Sequence, residues 1–334
     1  MNPKFSIILP VRNGGGYVKD CVHSILSQTL NSFTLVILDN HSTDGTLQWL
    51  ESLKDERIII YPAAKPLSIE ENWTRITSVP KNEFMTLIGH DDKLAPDYLE
   101  VMGSLVTSFP DASLYQTHFA FINSKGQKIR KCKPMKTESG PEFLQSILQK
   151  KIDIVGSGFM MRSTDYDSIG GIPDYPNLLF ADFELWIRLS GIKYIAVSDS
   201  EAFYFRLHES TTSVSPDIKL QDAFERFIFF LEKLKNKNDE YNNVIKNYSN
   251  TFLLTNCRSL AHRLFRTPAK KRNNTTINSL LKKCRAYSVL LAGNGSLNPL
   301  SDPAIRIAKI IDSNSFTRML FLLFKKLYKK PVLK

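Results

Sequence analysis

The stretch Phe84-Met85-Thr86-Leu87-Ile88-Gly89-His90-Asp91-Asp92 restricts the folds open to this chain more than any other. An apolar run of branched and aromatic residues ends in two adjacent carboxylates, and Lys93-Leu94-Ala95-Pro96 breaks it off at once. Such a run, closed by turn residues, reads as a buried strand of a parallel sheet. In open α/β sheets, ligands bind outside the carboxyl ends of the strands. Two aspartates side by side at such an end repel each other unless a cation offsets their charge. Either the pair holds a metal, or one of its members caps the helix expected after Pro96.

The preceding residues repeat the pattern. Phe5–Pro10, Phe33–Leu38 and Arg57–Tyr61 read as strands, separated by helical periodicity over Tyr17–Gln28 and Thr46–Leu53. A further helix is expected over Ser68–Ser78. Strand and helix alternating at this spacing imply βαβ units with right-handed crossovers. The turns Val11-Arg12-Asn13-Gly14-Gly15-Gly16 and Asp39-Asn40-His41-Ser42-Thr43-Asp44-Gly45 should then share one rim with Asp91 and Asp92. Beyond Pro96 the expected order is a helix to Phe109, a strand over Leu114–Phe121, an irregular basic segment over Lys128–Thr137 and a helix over Glu142–Leu148. Then follow a strand broken by small residues over Ile154–Met161, a helix from Asp182 to Leu189, and two short strands, Tyr194–Val197 and Ala202–Arg206. From Ile218 the pattern is helical, with exposed residues expected over 235–250, a helix from Asn250 to Phe265 and a last helix from Ser315 to about Lys330.

Charge divides the chain. Residues 217–334 hold 23 Lys/Arg against 8 Asp/Glu, whereas residues 1–216 hold 21 against 25. A basic last third points to an anionic partner, either a membrane surface or nucleic acid. Nucleic acid is the poorer match, because no aromatic-basic binding motif accompanies the charge. The four cysteines are far apart and suggest neither a zinc site nor a disulfide framework. Lys4 and Arg12 bracket only a short apolar run, and none approaches the roughly 20 residues of a membrane span. A cytoplasmic protein is the resulting expectation.

In this order, Pro10-Val11-Arg12-Asn13, the Asp39–Thr46 turn, Asn72-Trp73, Asp91-Asp92 and Asp182-Phe183-Glu184-Leu185-Trp186 give a chain that resembles family 2 glycosyltransferases. The likeness runs over residues 4–213 and includes Tyr204-Phe205-Arg206-Leu207-His208. It implies a GT-A fold, a mixed and mainly parallel sheet flanked by helices, over residues 1–215. Residues 216–334 would form a basic, mostly helical extension. The activity implied is inverting transfer of a sugar from a nucleotide diphosphate donor, a UDP-sugar above all, to a glycan or lipid-linked saccharide in surface polysaccharide synthesis.

The resemblance assigns roles that the residues can perform. Pro10, Val11, Arg12, Asp39, Asn40, Asn72, Asp92 and His208 would contact the donor. Asp91 and Asp92 would hold Mg²⁺ or Mn²⁺ against the diphosphate, and Asp182 would take the acceptor hydroxyl's proton. Read without the family, Asp39 and Asp182 could instead cap helices, Asn72 could be an exposed helical residue and His208 a satisfied loop histidine. The chain departs from the family pattern at Asn40, Gly89 and Ala181, where acids are usual. Gly89 and Ala181 keep a non-catalytic glycan-binding protein in view. A nucleotidyltransferase is the other alternative, and would need a phosphate-gripping loop after the first strand. The last helix carries Phe316, Met319, Leu320, Leu323, Phe324 and Leu327 on one stripe beside lysines, which suits a core-packed helix or one lying on a membrane at the inner face of the plasma membrane.

Overall fold

The computed structural model describes residues 4–207, 217–267 and 271–327. The chain divides into two compact units, one of residues 1–143 and 152–211, the other of residues 144–151 and 212–334.

The first unit is built on a mixed sheet. Its strands are β1 (Phe5–Val11), β2 (Phe33–Asp39), β3 (Ile58–Ile60), β4 (Phe84–Leu87), β5 (Lys93–Leu94), β6 (Leu114–Ile122), β7 (Lys128–Lys131), β8 (Glu138–Ser139), β9 (Met160–Arg162) and β10 (Tyr194–Arg206). They lie in the order β3-β2-β1-β4-β9-β6-β10-β5, with β7 beside β6 and β8 beside β10. The long pairings, β1 with β2 and β6 with β10, are parallel, and the antiparallel ones are short. Every residue of β1 and β4 is buried, as strands covered on both faces require. Because β2, β1 and β4 run the same way, Asp39, Val11 and the loop after Leu87 emerge on one rim.

The helices of this unit are α1 (Gly15–Leu26), α2 (Thr46–Ser52), α3 (Ile69–Thr74, continued by a 3₁₀ turn to Ser78), α4 (Tyr98–Ser108), α5 (Gly140–Leu148, which from Leu144 onward belongs to the other unit), α6 (Ser163–Ser168) and α7 (Ala181–Ser190). Ser68 and Glu71 close a capping box that fixes the start of α3. Trp186 on α7 is fully buried, stacks on Phe159 with ring centres 4.4 Å apart and donates Nε1–H to the Val155 carbonyl at 3.0 Å. Losing a buried Trp typically costs about 3–5 kcal/mol, so this one ring binds residues 155–159 firmly to α7.

Several expectations need correction. Tyr194–Arg206 is one strand, since irregularities between Ser198 and Phe203 bend it without ending its pairing with β6. Lys128–Lys131, expected to be irregular, is an exposed edge strand. Of Ile154–Met161 only the end is strand, because Gly158 takes φ +80° and a Cβ there would meet the Phe203 ring at 2.5 Å. Lys93-Leu94, expected to be a turn, pairs antiparallel with β10.

The second unit continues from the end of α5 with α8 (Asp217–Lys235), α9 (Asp239–Arg266), α10 (Ile277–Ala292), α11 (Pro303–Asp312) and α12 (Ser315–Leu327). Phe224, Phe227, Phe252 and Tyr287 meet in its core at ring separations of 5.6–6.1 Å. The α9 helix begins eleven residues before the expected start. Asn238 caps it, and Tyr241, Ile245 and Phe252 bury a stripe hidden among Lys and Asn. Helices α10 and α11 escaped the sequence reading, although Thr276 and Asp302 cap them. The expected end of the last helix near Lys330 lies outside the described residues. No described helix is long and apolar enough to cross a membrane.

Candidate active site

Val11 and Asp39 face each other on the last rung of the β1–β2 ladder, one step beyond Pro10 and Leu38. The Asp39 carboxylate is completely buried. Its Oδ2 accepts from the Ser42 amide at 3.1 Å, while Oδ1 has no hydrogen-bond partner. A buried acceptor without a donor is costly, and native proteins keep few of them. This oxygen is suited to receive a donor from a ligand.

Around it the rim is tightly built. Asn40 uses both ends of its amide on Leu67, donating to the carbonyl at 3.0 Å and accepting from the N–H at 2.7 Å. Arg12 donates to the same carbonyl at 3.2 Å. The amides of Asn13, Gly14 and Gly15 donate to Ser42, Thr46 and Asp44, which joins the turn after β1 to the turn after β2. Those three amides are therefore committed within the protein. Asn72 is buried, donates to the Leu38 carbonyl at 3.3 Å and accepts from Arg75 at 2.8 Å. Arg75 also donates to the carbonyls of Asp39 and Tyr61, securing the ends of β2 and β3. Asn72, which by its residue type alone suits an exposed helical position, is thus part of the wall behind Asp39.

At the end of β4 the two aspartates have different surroundings. Asp92 is buried, with Oδ1 accepting from the Arg206 amide at 2.9 Å and Oδ2 from the Ser157 hydroxyl at 2.5 Å. Burial, and then the charge of Asp91, push its carboxyl well above the usual range. Asp91 is only half-buried. A Cβ added to Gly89 would lie 2.7 Å from Asp91 Oδ1, so the glycine makes the space that this carboxylate occupies. Cys21 lies below, its thiol 3.5 Å from the Gly89 carbonyl and held far above its normal pKa by burial and the two aspartates.

Asp182 stands in the first turn of α7, after Phe180 in a left-handed conformation at φ 66°. Gly156 lies against it, where a Cβ would be 3.5 Å from Oδ2. Burial pushes the Asp182 carboxyl up to about 6. Next to it, Glu184 accepts from the Tyr175 hydroxyl at 2.6 Å. Ser157 touches Asp92, and its neighbour Gly156 touches Asp182. One short segment, held by Trp186, therefore joins the carboxylate pair to Asp182.

The structure thus gathers Pro10, Val11, Arg12, Asp39, Asn40 and Asn72 at the ends of β1 and β2, with Asp91 and Asp92 at the end of β4. Asp182 comes to the pair through residues 156–157. His208 lies outside the described residues. Ser157, Arg75 and Arg206 were missed as site residues. Only Arg206 had a signal, its place beside His208 in a matching segment. Among the described residues no group of three or more His, Cys, Asp or Glu could hold a metal ion. Asp92 has both oxygens engaged within the protein, and Asp91, half-buried, is the other carboxylate of the pair. That donor set fits Mg²⁺ or Mn²⁺ completed by phosphate oxygens and water, since Mg²⁺ is commonly bound through one or two carboxylates plus substrate phosphates.

Comparison with known proteins bears on the family and the fold. The family described as Glycosyl transferase family 2 matches residues 6–170. The uncharacterized glycosyltransferase RT0329 of Rickettsia typhi is 21% identical over 235 residues, 70% of this chain and 73% of that protein. The putative teichuronic acid biosynthesis glycosyltransferase TuaG of Bacillus subtilis is 30% identical over 100 residues, 29% of this chain and 40% of that protein. Among solved structures, residues 1–349 of S. aureus TarS in complex with UDP-GlcNAc share the fold. The TM-score is 0.66 at 15% identity, over 98% of this chain and 93% of that one. On this match, made over a mixed α/β sheet, residues 6–170 belong to glycosyl transferase family 2.

Proposed function

We propose that the protein is an inverting glycosyltransferase that moves a sugar from a UDP-sugar to a glycan or lipid-linked saccharide in surface polysaccharide synthesis. The unpartnered Oδ1 of buried Asp39 is the observation that carries this reading. It offers an acceptor to the N–H of a uracil or a ribose hydroxyl, in a wall made by Val11, Asn40 and Asn72. Inversion needs one base on the face of the sugar opposite the leaving group. Asp182 takes that role. With its carboxyl near 6 it is mostly ionised at neutral pH, yet basic enough to accept the proton of an acceptor hydroxyl. Asp91 would hold a Mg²⁺ or Mn²⁺, which supplies charge to stabilise the departing diphosphate. Asp92 acts from behind, through Ser157 and Arg206.

The committed amides of residues 13–15 argue against a nucleotidyltransferase, whose phosphate-gripping loop needs free backbone donors. Assays of transfer and of donor hydrolysis over a panel of nucleotide sugars test the reading. Turnover of a UDP-sugar supports it, and no turnover of any nucleotide sugar, with or without Mn²⁺, rejects it in favour of a glycan-binding protein.

The second unit suits an anionic membrane surface, which would place the enzyme at the inner face of the plasma membrane. Ile307, Ile310, Phe316, Met319, Leu320, Leu323, Phe324 and Leu327 are each 46–75% exposed. An exposed apolar face this wide marks an interaction surface. Residues 303–334 hold eight Lys/Arg and one Asp. Two copies docked face to face would bring like charges together, whereas anionic lipid satisfies stripe and charge at once.

A further inference from the structure

We propose that Arg206 is a positioning residue, which aims the Asp91 carboxylate towards the donor's diphosphate; this rests on the transferase reading above. Arg206 is the last residue of β10, and its side chain has no exposure to solvent. Nε donates to the Asp91 carbonyl at 2.7 Å. Nη1 donates to the carbonyls of Asn123 and Ser124, both at 3.1 Å, and Nη2 to Asp20 Oδ2 at 3.3 Å. The guanidinium also lies 4.7 Å from the centre of the Tyr17 ring. Its own backbone N–H holds Asp92. One residue thereby joins α1, the loop after β4, the turn between β6 and β7, and the end of β10.

Burying a guanidinium is expensive, and a site needing only bulk would be served as well by an apolar side chain. Most of its partners here are backbone carbonyls, which need donors in a fixed fork, and a guanidinium supplies that while an ammonium does not. The peptide between Asp91 and Asp92 is gripped from two sides. Arg206 Nε takes the carbonyl of Asp91, while the Arg206 amide and Ser157 take the carboxylate of Asp92. Fixing that peptide fixes the direction in which the Asp91 Cα–Cβ bond points. The half-buried carboxylate therefore owes its aim to Arg206.

Calorimetric titration of UDP into the full-length protein, with Mn²⁺ and with EDTA, tests this without relying on turnover. Arg206→Lys keeps the charge and loses the fork. It should weaken Mn²⁺-dependent UDP binding by about 10–100-fold, the usual cost of disturbing the partners behind a metal ligand. UDP binding in EDTA, set by the Asp39 slot, should match the wild type. Asp20→Asn changes a half-exposed side chain and should shift the Mn²⁺-dependent affinity in the same sense by about two- to fivefold, the size of a partly exposed ion pair. If both variants bind UDP with Mn²⁺ as the wild type does, Arg206 is a structural brace only and the proposal falls, whatever the melting temperatures. Should Arg206→Lys fail to fold, an unchanged Asp20→Asn overturns the proposal by itself. A wild type indifferent to Mn²⁺ removes the metal reading underneath, a failure visible before any variant is made.

Discussion

Gly156 lies directly against Asp182, and a Cβ on the glycine would sit 3.5 Å from Oδ2, at ordinary contact distance. The backbone there has no left-handed strain, so alanine should fold normally. A larger side chain would occupy the space beside the carboxylate and bury it further. Gly156→Val is therefore expected to reduce transfer at least about tenfold and move the acid limb of the pH profile upward, since burial disfavours the charged form. UDP affinity should remain as in the wild type. Transfer rates from pH 5 to 8, with calorimetry of UDP, check this.

Asp182→Asn separates the roles of base and helix cap. Losing a general base typically costs on the order of 10²–10⁴-fold in rate, whereas Asn caps a helix as well as Asp does. In the wild type, transfer should fall as pH drops through about 6, where the carboxylate takes up its proton. Stability gives a second signature. A folded carboxyl raised above its unfolded value binds more protons than the unfolded chain between about 4 and 6, so ionisation destabilises the fold as pH rises through that window. Asn avoids this cost. After a discount for partial solvent contact, the variant should be more stable than the wild type by about 1–2 kcal/mol at pH 8. The two should converge below about pH 4. Near-normal turnover of Asp182→Asn would defeat the base assignment.

Much of this rim was legible in the sequence for a physical reason. Buried parallel strands read as apolar runs, so the ends of β1, β2 and β4, with Asp39 and Asp91, could be located from hydrophobicity alone. The unequal fates of Asp91 and Asp92 could not be. They depend on Ser157 and Arg206, which reach the pair from 65 and 114 residues away. The α9 stripe was missed because Tyr241, Ile245 and Phe252 are too thinly spread among polar residues for local periodicity to register. Arg75 was obscure for a related reason. Two of its partners are the carbonyls of Asp39 and Tyr61 at strand ends, and a carbonyl leaves no mark in a sequence.

The two aspartates should respond differently to substitution. Asp91→Asn should abolish the Mn²⁺-dependent part of UDP binding and leave the melting temperature nearly unchanged. Asp92→Ala strips the Ser157 hydroxyl and the Arg206 amide of their acceptor, and each buried group left unsatisfied costs about 1–3 kcal/mol. Its main effect should be lower stability in urea. Metal dependence lost in Asp92→Ala but kept in Asp91→Asn would reverse the assignment.

Asp39→Asn tests the nucleotide slot. The amide can still accept from the Ser42 N–H, but it then presents an NH₂ group where the unpartnered Oδ1 now stands. A hydrogen bond to a charged group is worth about 1.5–3 kcal/mol, so UDP affinity should fall on the order of 10–100-fold in Mn²⁺ and in EDTA alike. The absence of metal dependence distinguishes this loss from that of Asp91→Asn. Unchanged affinity would mean that the base sits elsewhere on the rim.

The exposed face of α11 and α12 leads to the last prediction. Binding to anionic vesicles should combine apolar insertion with attraction worth about 1 kcal/mol for each membrane-adjacent Lys or Arg, and salt should screen the second part. Replacing Leu320 and Leu323 by Glu removes two exposed apolar groups, at 46% and 55% exposure, and adds two negative charges without disturbing a core. The wild type should sediment with phosphatidylglycerol vesicles at low salt and much less at 0.5 M NaCl or with neutral lipid. The double variant should stay in the supernatant throughout while keeping wild-type UDP affinity. A second copy covering the face would appear instead as a dimer in analytical ultracentrifugation, lost in the double variant and indifferent to lipid. Co-sedimentation of wild type and variant to the same extent would rule out this face as the membrane contact.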